Sequence, residues 1–159
     1  MAELQVGGLA PDFNADSTEG LLSLEKLSDK IIVLYFYTSD MTPGCTIQAQ
    51  EFTSLYDEFQ ELGVVVIGVS KNNLSSHHKF CEKENIPYPL LVDTENEICN
   101  LYGVIKEKSM LGKTYLGINR TTFLIDKNKK IFKIWKNVKP HDHAKKVLEQ
   151  VKLINLIKK

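Results

Sequence analysis

The most regular feature of the chain is a change from continuous apolar runs to apolar residues at helical spacing. Residues 31–37 (I-I-V-L-Y-F-Y) and 64–69 (V-V-V-I-G-V) are unbroken apolar runs, which are typical of strands buried on both faces of a sheet. Between them, apolar side chains from residue 46 onward recur every three or four positions, and Gly63 can end the helix that this spacing predicts. A strand, helix and strand of this length predict parallel strands joined by a right-handed crossover.

Shorter elements are predicted in the middle of the chain. Ser75 or Ser76 can cap a short helix that runs to about residue 85, because Pro87 and Pro89 follow and stop it. Residues 89–92 are a brief strand at best. The central region therefore predicts one further helix and little regular structure beyond it.

The last third of the chain predicts a hairpin and a terminal helix. Residues 96–102 fit a short helix, and residues 121–125 and 131–135 flank the turn sequence D-K-N-K-K. Pro140 opens a last amphipathic helix. This element order is that of a thioredoxin-like fold: an α/β protein with a central mixed sheet flanked by helices and an N-terminal extension.

Composition and charge narrow the possible functions. A chain of 159 residues with 43% hydrophobic residues is long enough for one well-packed domain, so residues 1–159 are predicted to form a single domain. Twenty basic and twenty acidic residues leave no net charge, which disfavours binding to nucleic acid or to an anionic membrane. Because the sequence shows neither an apolar span of membrane length nor a signal peptide, we expect a cytoplasmic protein.

The positions of the three cysteines give the clearest indication of the chemistry of the chain. Cys45, Cys81 and Cys99 are an odd number, and no two of them form C-x-x-C, so a disulfide scaffold, a metal cluster and a thioredoxin-type dithiol are all disfavoured. Pro43 and Gly44 lead the chain into the helix, which predicts that Cys45 lies in its first turn. The positive end of a helix stabilises a thiolate, so Cys45 is a candidate nucleophile. The alternative is that Cys45 is a small buried residue that only packs.

Three motifs carry a family resemblance. T-P-G-C-T after Y-F-Y, R-T-T-F-L-I-D from residue 120 and A-P-D-F at residues 10–13 resemble peroxiredoxins of the bacterioferritin comigratory, or Q-type, group, and the similarity runs the length of the chain. The resemblance implies a thiol-dependent peroxidase that reduces hydrogen peroxide and small organic hydroperoxides. It also implies a thioredoxin-like protein as reductant, no metal, haem or flavin cofactor, and a monomer.

The resemblance assigns roles to particular residues. The cysteine that matches Cys45 is the peroxidatic thiol, which becomes a sulfenic acid. Displacement on an O–O bond spreads negative charge, and the candidate donors are backbone N–H groups at Cys45, the Thr42 hydroxyl and the Arg120 guanidinium. Gln48 lies one turn after Cys45 and can orient that guanidinium, with Pro43 and Gly44 as support. A surface salt bridge for Arg120 and a solvated Gln48 are the alternatives.

Two positions depart from the family pattern. Thr38 stands where the family usually has proline, so the wall of the pocket is expected to be looser or wetter. Gln50 stands where many relatives carry a second cysteine. A subset of relatives places the resolving cysteine in the helix that here carries Cys81, which is therefore the predicted partner of Cys45, with partial unwinding of both helices if the sites lie apart. Cys81 as a packing residue is the alternative, and Cys99 is predicted to be core.

Other readings of these residues remain open. His77 and His78 with Cys81 have helical metal-ligand spacing but lack a fourth ligand, so solvated or capping histidines are favoured. A one-cysteine peroxidase reduced directly by an external thiol and a non-catalytic holdase are the alternative functions. Five aromatic residues are candidates to line the pocket, although core packing explains most of them: Phe13, Tyr37, Phe52, Tyr115 and Trp135.

Overall fold

The computed structural model describes residues 3–27 and 29–157 of the chain. Its strands are β1 (Asn14–Ala15), β2 (Leu22–Ser23), β3 (Ile31–Phe36), β4 (Val64–Ser70), β5 (Leu90–Val92), β6 (Ile105–Met110), β7 (Lys113–Ile118), β8 (Thr121–Ile125) and β9 (Ile131–Trp135). Its helices are α1 (Pro43–Ser54), α2 (Tyr56–Glu61), α3 (Leu74–Glu84), α4 (Glu97–Leu101) and α5 (His143–Ile157), with a short 3-10 helix at Glu25–Leu27.

A mixed five-stranded sheet forms the centre of the fold, in the order β5-β4-β3-β8-β9. β3, β4 and β5 are parallel, whereas β8 is antiparallel to both β3 and β9. The parallel pair β3 and β4 and the hairpin β8–β9 are those predicted from the apolar runs and the D-K-N-K-K turn. The α/β class with a central mixed sheet is therefore confirmed.

The sheet divides the core into two clusters because side chains of a strand alternate between its faces. On one face, residues 31, 33 and 35 of β3 pack with apolar side chains of α1, α3 and α5, and Cys45 belongs to this cluster. On the other face, residues 32, 34 and 36 pack with α4 and the N-terminal segment, and Cys99 belongs to that cluster. Every residue of β3 is buried, as its continuous apolar run predicts.

The N-terminal segment extends the fold along the sheet. β1 and β2 pair in a small antiparallel sheet, and Leu9 forms a bridge with Lys130 beside β9. The backbone N–H of Val92 in β5 donates to the carbonyl of Asp16 at 2.9 Å. The segment therefore covers the backbone of an edge strand that would otherwise be open to pairing with another chain, and it forms the predicted N-terminal extension.

The single helix predicted between β3 and β4 is wrong in one respect. It begins at Pro43, as the T-P-G-C stretch predicts, but it is interrupted at Leu55, whose ψ of 3° lies outside the helical range. The chain therefore continues as a separate short helix, α2, before Gly63 adopts a φ of 76°. This left-handed conformation is one that glycine takes without steric cost, so the predicted stop is confirmed.

Two helix starts differ from prediction. The cap of α3 is Asn73, not Ser75 or Ser76, because the Asn73 side chain accepts the backbone N–H of Ser76 at 2.9 Å. The terminal helix begins at His143 rather than at Pro140, since Asp142 has a φ of 63° that a right-handed helix cannot include.

The hairpin β6–β7 was not predicted. Its strands pair in register from Ile105 with Ile118 to Met110 with Lys113, outside the central sheet. Most of its side chains are exposed, so the sequence shows no apolar alternation there. Within the described part of the chain, none of the helices combines the length and apolar character needed to cross a bilayer.

Candidate active site

Cys45 lies in the first turn of α1, as the T-P-G-C stretch predicts. Thr42 is the N-cap in extended conformation, Pro43 is the first helical residue, and the side chain of Cys45 is 1% exposed. Proline suits this position because the first helical N–H has no partner within the helix. The unpaired N–H groups of the first turn and the positive end of the helix dipole therefore surround a buried thiol.

Two side chains lie within hydrogen-bonding distance of the Cys45 sulfur, and one backbone amide stabilises its thiolate. Nη1 of Arg120 donates to Sγ at 3.3 Å, and Oγ1 of Thr38 lies 3.3 Å from the same atom. The backbone amide of Ser39 also stabilises the thiolate and lowers the pKa of Cys45. These donors come from the loop after β3 and from the residue before β8, two strands that are neighbours in the sheet.

The environment lowers the pKa of Cys45 below its ordinary value. Burial alone raises the pKa, because desolvation disfavours the thiolate. The Ser39 amide, the Thr38 hydroxyl and the charge of Arg120 act in the opposite direction and outweigh it. The site therefore favours the nucleophilic form of the sulfur.

Arg120 is held in place from several sides. Its Nη1 also donates to Oε1 of Gln48 at 2.8 Å, and Gln48 is fully buried. Gly44 leaves room for the guanidinium, since a Cβ there would lie 3.3 Å from Nη2 of Arg120 and 3.3 Å from Pro140. The predicted contact between Gln48 and Arg120 is therefore present. Nε2 of Gln48 has no hydrogen-bond partner among the described residues.

Thr42 and Thr38 differ from what the sequence suggested. The Thr42 hydroxyl donates to the Ser39 carbonyl at 2.8 Å, and with only one proton it cannot donate to the sulfur at the same time. In this structure Thr42 therefore stabilises the turn that begins at Ser39 and does not donate directly to the Cys45 sulfur. Thr38 was expected only to loosen the wall of the pocket, but it is half-buried and its hydroxyl reaches the sulfur of Cys45.

The other two cysteines are free thiols in different environments. Cys81 on α3 is half-buried; burial raises its pKa to about 11, with Asp40 and Glu19 adding to the rise and Thr18 opposing it. Cys99 is fully buried, and burial together with Asp93 raises its pKa strongly. Both are therefore protonated near neutral pH, and the prediction that Cys99 is core is confirmed.

The remaining candidates are not gathered around the sulfur. His77 is fully buried and bonded to Asp40, whereas the adjacent His78 is exposed, so the helical spacing does not bring them together as ligands. Of the aromatic candidates, Tyr37, Phe52 and Trp135 pack in or against the cluster that contains Cys45. Phe13 belongs to the opposite cluster, and Tyr115 is exposed on the β6–β7 hairpin.

Sequence reasoning missed several groups near the site. Lys108 on β6 donates from Nζ to the Ile118 carbonyl at 2.6 Å, and its pKa is lowered by burial and then by Arg120, which places a second cation close by. Asp40 and the Ser39 amide were also missed. The only sequence signal for Asp40 was its place in the turn between β3 and α1.

Comparison with known proteins gives one family. Residues 6–134 match the model of the AhpC/TSA family. Peroxiredoxin Bcp of Bacillus subtilis is 45% identical over 152 residues, covering 94% of this chain and 96% of the relative. The Xylella fastidiosa PrxQ structure is similar with a TM-score of 0.91 at 31% identity, covering 98% of this chain and 99% of that one. A structure of the Xanthomonas campestris bacterioferritin comigratory protein, which has alkyl peroxide reduction activity, is similar with a TM-score of 0.87 at 34% identity, covering 96% of this chain and 98% of that one.

Proposed function

The chain belongs to the AhpC/TSA family and is a thiol-dependent peroxidase with a thioredoxin-like fold, and from this premise we propose that Cys45 is the residue that reduces the peroxide. The observation that carries the proposal is the buried Cys45 sulfur at the start of α1 with Nη1 of Arg120 at 3.3 Å. A charged, planar donor at that distance stabilises the thiolate and can also contact a peroxide oxygen.

In the first step the Cys45 thiolate attacks one oxygen of the hydroperoxide. An S–O bond forms, the O–O bond breaks, and the leaving oxygen takes a proton and departs as water or an alcohol. Negative charge moves from sulfur to the leaving oxygen, so donors fixed along that line lower the barrier. Arg120 supplies such a donor, Gln48 orients it, and Thr38 and the Ser39 amide hold the sulfur. Thr42, Pro43 and Gly44 fix the helix start.

In the second step Cys81 resolves the sulfenic acid. The Cys81 sulfur attacks the Cys45 sulfur, an S–S bond forms, the S–O bond breaks, and the hydroxyl leaves as water with the proton of the Cys81 thiol. Because the pKa of Cys81 is raised to about 11, its thiol is protonated near neutral pH while α3 is folded, and a thiol is a poor nucleophile. We infer that α3 opens locally before the attack, which breaks the 2.8 Å bond between Gln50 and Glu84 that joins α1 to α3.

The cycle closes when a thioredoxin-like dithiol protein reduces the disulfide. Similarity to the X. campestris protein supports small organic hydroperoxides as substrates beside hydrogen peroxide. The balance of twenty basic and twenty acidic residues supports a protein without a nucleic-acid partner, and we propose a monomer. A compartment that keeps thiols reduced, such as the cytoplasm, suits the free cysteines of the chain.

One experiment tests the order of events. Reduced protein receives one equivalent of hydrogen peroxide, and intact mass and peptide mapping identify the oxidised sulfur. We expect a Cys45–Cys81 disulfide in the wild type and in the control Cys99→Ser, sulfenic acid on residue 45 in Cys81→Ser, and no rapid oxidation in Cys45→Ser.

Each alternative has its own outcome. Full thioredoxin-coupled turnover by Cys81→Ser would establish the one-cysteine route and remove Cys81 from the mechanism. Undiminished peroxide consumption by Cys45→Ser would contradict the assignment of the peroxidatic residue.

A further inference from the structure

A buried contact between a carboxylate and a histidine lies beside the site. Nδ1 of His77 lies 2.8 Å from Oδ2 of Asp40, and Nε2 lies 2.8 Å from the carbonyl oxygen of Leu91. An ionised carboxylate only accepts hydrogen bonds, so the contact with Asp40 is satisfied when Nδ1 of His77 donates to it. Asp40 also accepts the hydroxyls of Tyr37 and Ser76. These bonds outweigh burial and lower the pKa of Asp40, consistent with a carboxylate.

The pair joins helix α3 to the loop of residues 37–42 that precedes α1. Nδ1 of His77 and the carboxylate of Asp40 are both fully enclosed, with side chains that are 0% and 1% exposed. The backbone N–H of Asp40 donates to Oδ1 of Asn72 at 2.9 Å, so the loop is fastened at this residue by its backbone as well. The contact is difficult to break, because a buried carboxylate that loses its hydrogen-bonding partner is left as an unpaired buried charge.

The contacts of Asp40 fix the position of two donors of the loop relative to the reacting sulfur. The residues just before Asp40 are Thr38, whose hydroxyl lies 3.3 Å from the Cys45 sulfur, and Ser39, whose backbone amide lowers the pKa of that sulfur. The residue just after it is Met41, with a φ of 65°. A left-handed conformation at a non-glycine residue is unfavourable and persists only where surrounding contacts impose it. The loop therefore needs an anchor in order to present its donors.

We propose that Asp40 and His77 are a positioning pair for the peroxidatic cysteine, and that their contact holds loop 37–42 so that Thr38 and the Ser39 amide stay on the Cys45 sulfur. The inference rests on the proposed function only in taking Cys45 as the reacting thiol. Neither member of the pair touches the sulfur, so both act through the loop. The titratable groups that face the pair are Tyr37 on the loop and, by its electrostatic effect, Cys81 on α3.

The test compares two neighbouring histidines on one helix. His77→Gln and Asp40→Asn remove the contact between the imidazole and the carboxylate, whereas His78→Gln makes the same chemical change at an exposed position. The pKa of Cys45 is measured from thiolate absorbance against pH and from the pH dependence of its alkylation, mapped to the peptide. With the loop released, we expect the pKa to rise by about one unit in His77→Gln and Asp40→Asn, slowing alkylation below that pKa by about tenfold. His78→Gln should match the wild type.

The outcomes separate this inference from the proposed function. If wild-type Cys45 alkylates no faster than an ordinary thiol, the proposed function fails. If the wild type is fast and the pair variants match it, the positioning role is refuted. If a variant does not fold, the wild type decides: ¹⁵N NMR of the reduced protein should show a proton on Nδ1 of His77, donated to Asp40, and an Nδ1 without a proton would overturn the proposal.

Discussion

Replacing Arg120 by glutamine removes a full positive charge from beside the Cys45 sulfur and keeps a side chain that can hydrogen-bond to Gln48. At the 3.3 Å separation of Nη1 and Sγ, two unit charges interact by about 5 kcal/mol at an effective dielectric constant of about 20 and about 1.3 kcal/mol in bulk water. Arg120 is half-buried and its charge is spread over the guanidinium, which places the loss between these limits. We therefore expect the pKa of Cys45 to rise by about one to three units.

Thiolate absorbance followed against pH measures this shift directly. Cys45 should titrate alone at the acid end, because burial keeps the pKa of Cys81 at about 11 and that of Cys99 higher still. Lys108→Gln is the matched control: it removes a nearby cation whose Nζ donates to a carbonyl rather than to the sulfur, so its effect should be much smaller. A folded Arg120→Gln protein whose Cys45 titrates as in the wild type would refute the electrostatic reasoning.

Three further substitutions distinguish effects on the Cys45 sulfur from effects on the stability of the surrounding core. Thr38→Val should raise the pKa of Cys45 by about one unit or less in the same titration, because it removes one hydroxyl at 3.3 Å. Burial and, to a lesser extent, nearby cations lower the pKa of His143 from 6.5 in the unfolded chain to about 4 in the folded protein. Between pH 6.5 and pH 4, unfolding therefore takes up a proton at this residue. The free energy of unfolding should fall by about 3 kcal/mol as pH drops from 6.5 through 4, and urea titrations of His143→Gln should lack this slope. Cys99→Ser should cost about 1–3 kcal/mol of stability with unchanged peroxide turnover, and a loss of turnover would contradict its core role.

The fold was predictable wherever burial left a pattern in the sequence. β3 and β4 are buried almost throughout, so their composition alone identifies them, and the turn between β8 and β9 has a strong local signal. The hairpin β6–β7 carries no such pattern, because exposed strands accept polar and apolar residues alike. Helix starts were misplaced where a single residue decides them, as Asn73 does by capping and Asp142 by its left-handed backbone.

The site was predictable only in part for a related reason. Cys45 and its helix position are local in sequence, and the family motif located Arg120 and Gln48. The link between Asp40 and His77 joins residues 37 positions apart and appears only when α3 packs against the loop. The hydroxyl of Thr38 likewise reaches the sulfur through the folded loop. Contacts between residues far apart in sequence follow no fixed spacing along the chain. The sequence therefore shows which residue types are present but not which of them come into contact.

The central claim is that fixed donors keep the Cys45 sulfur anionic and directed at its substrate. Its most direct test is the second-order rate constant for reduced Cys81→Ser protein with hydrogen peroxide, measured by stopped flow across pH, because oxidation then stops at residue 45. We predict a rate constant far above that of free cysteine at the same pH, which persists below the pKa of an ordinary thiol. A folded protein that reacts no faster than free cysteine would contradict the account.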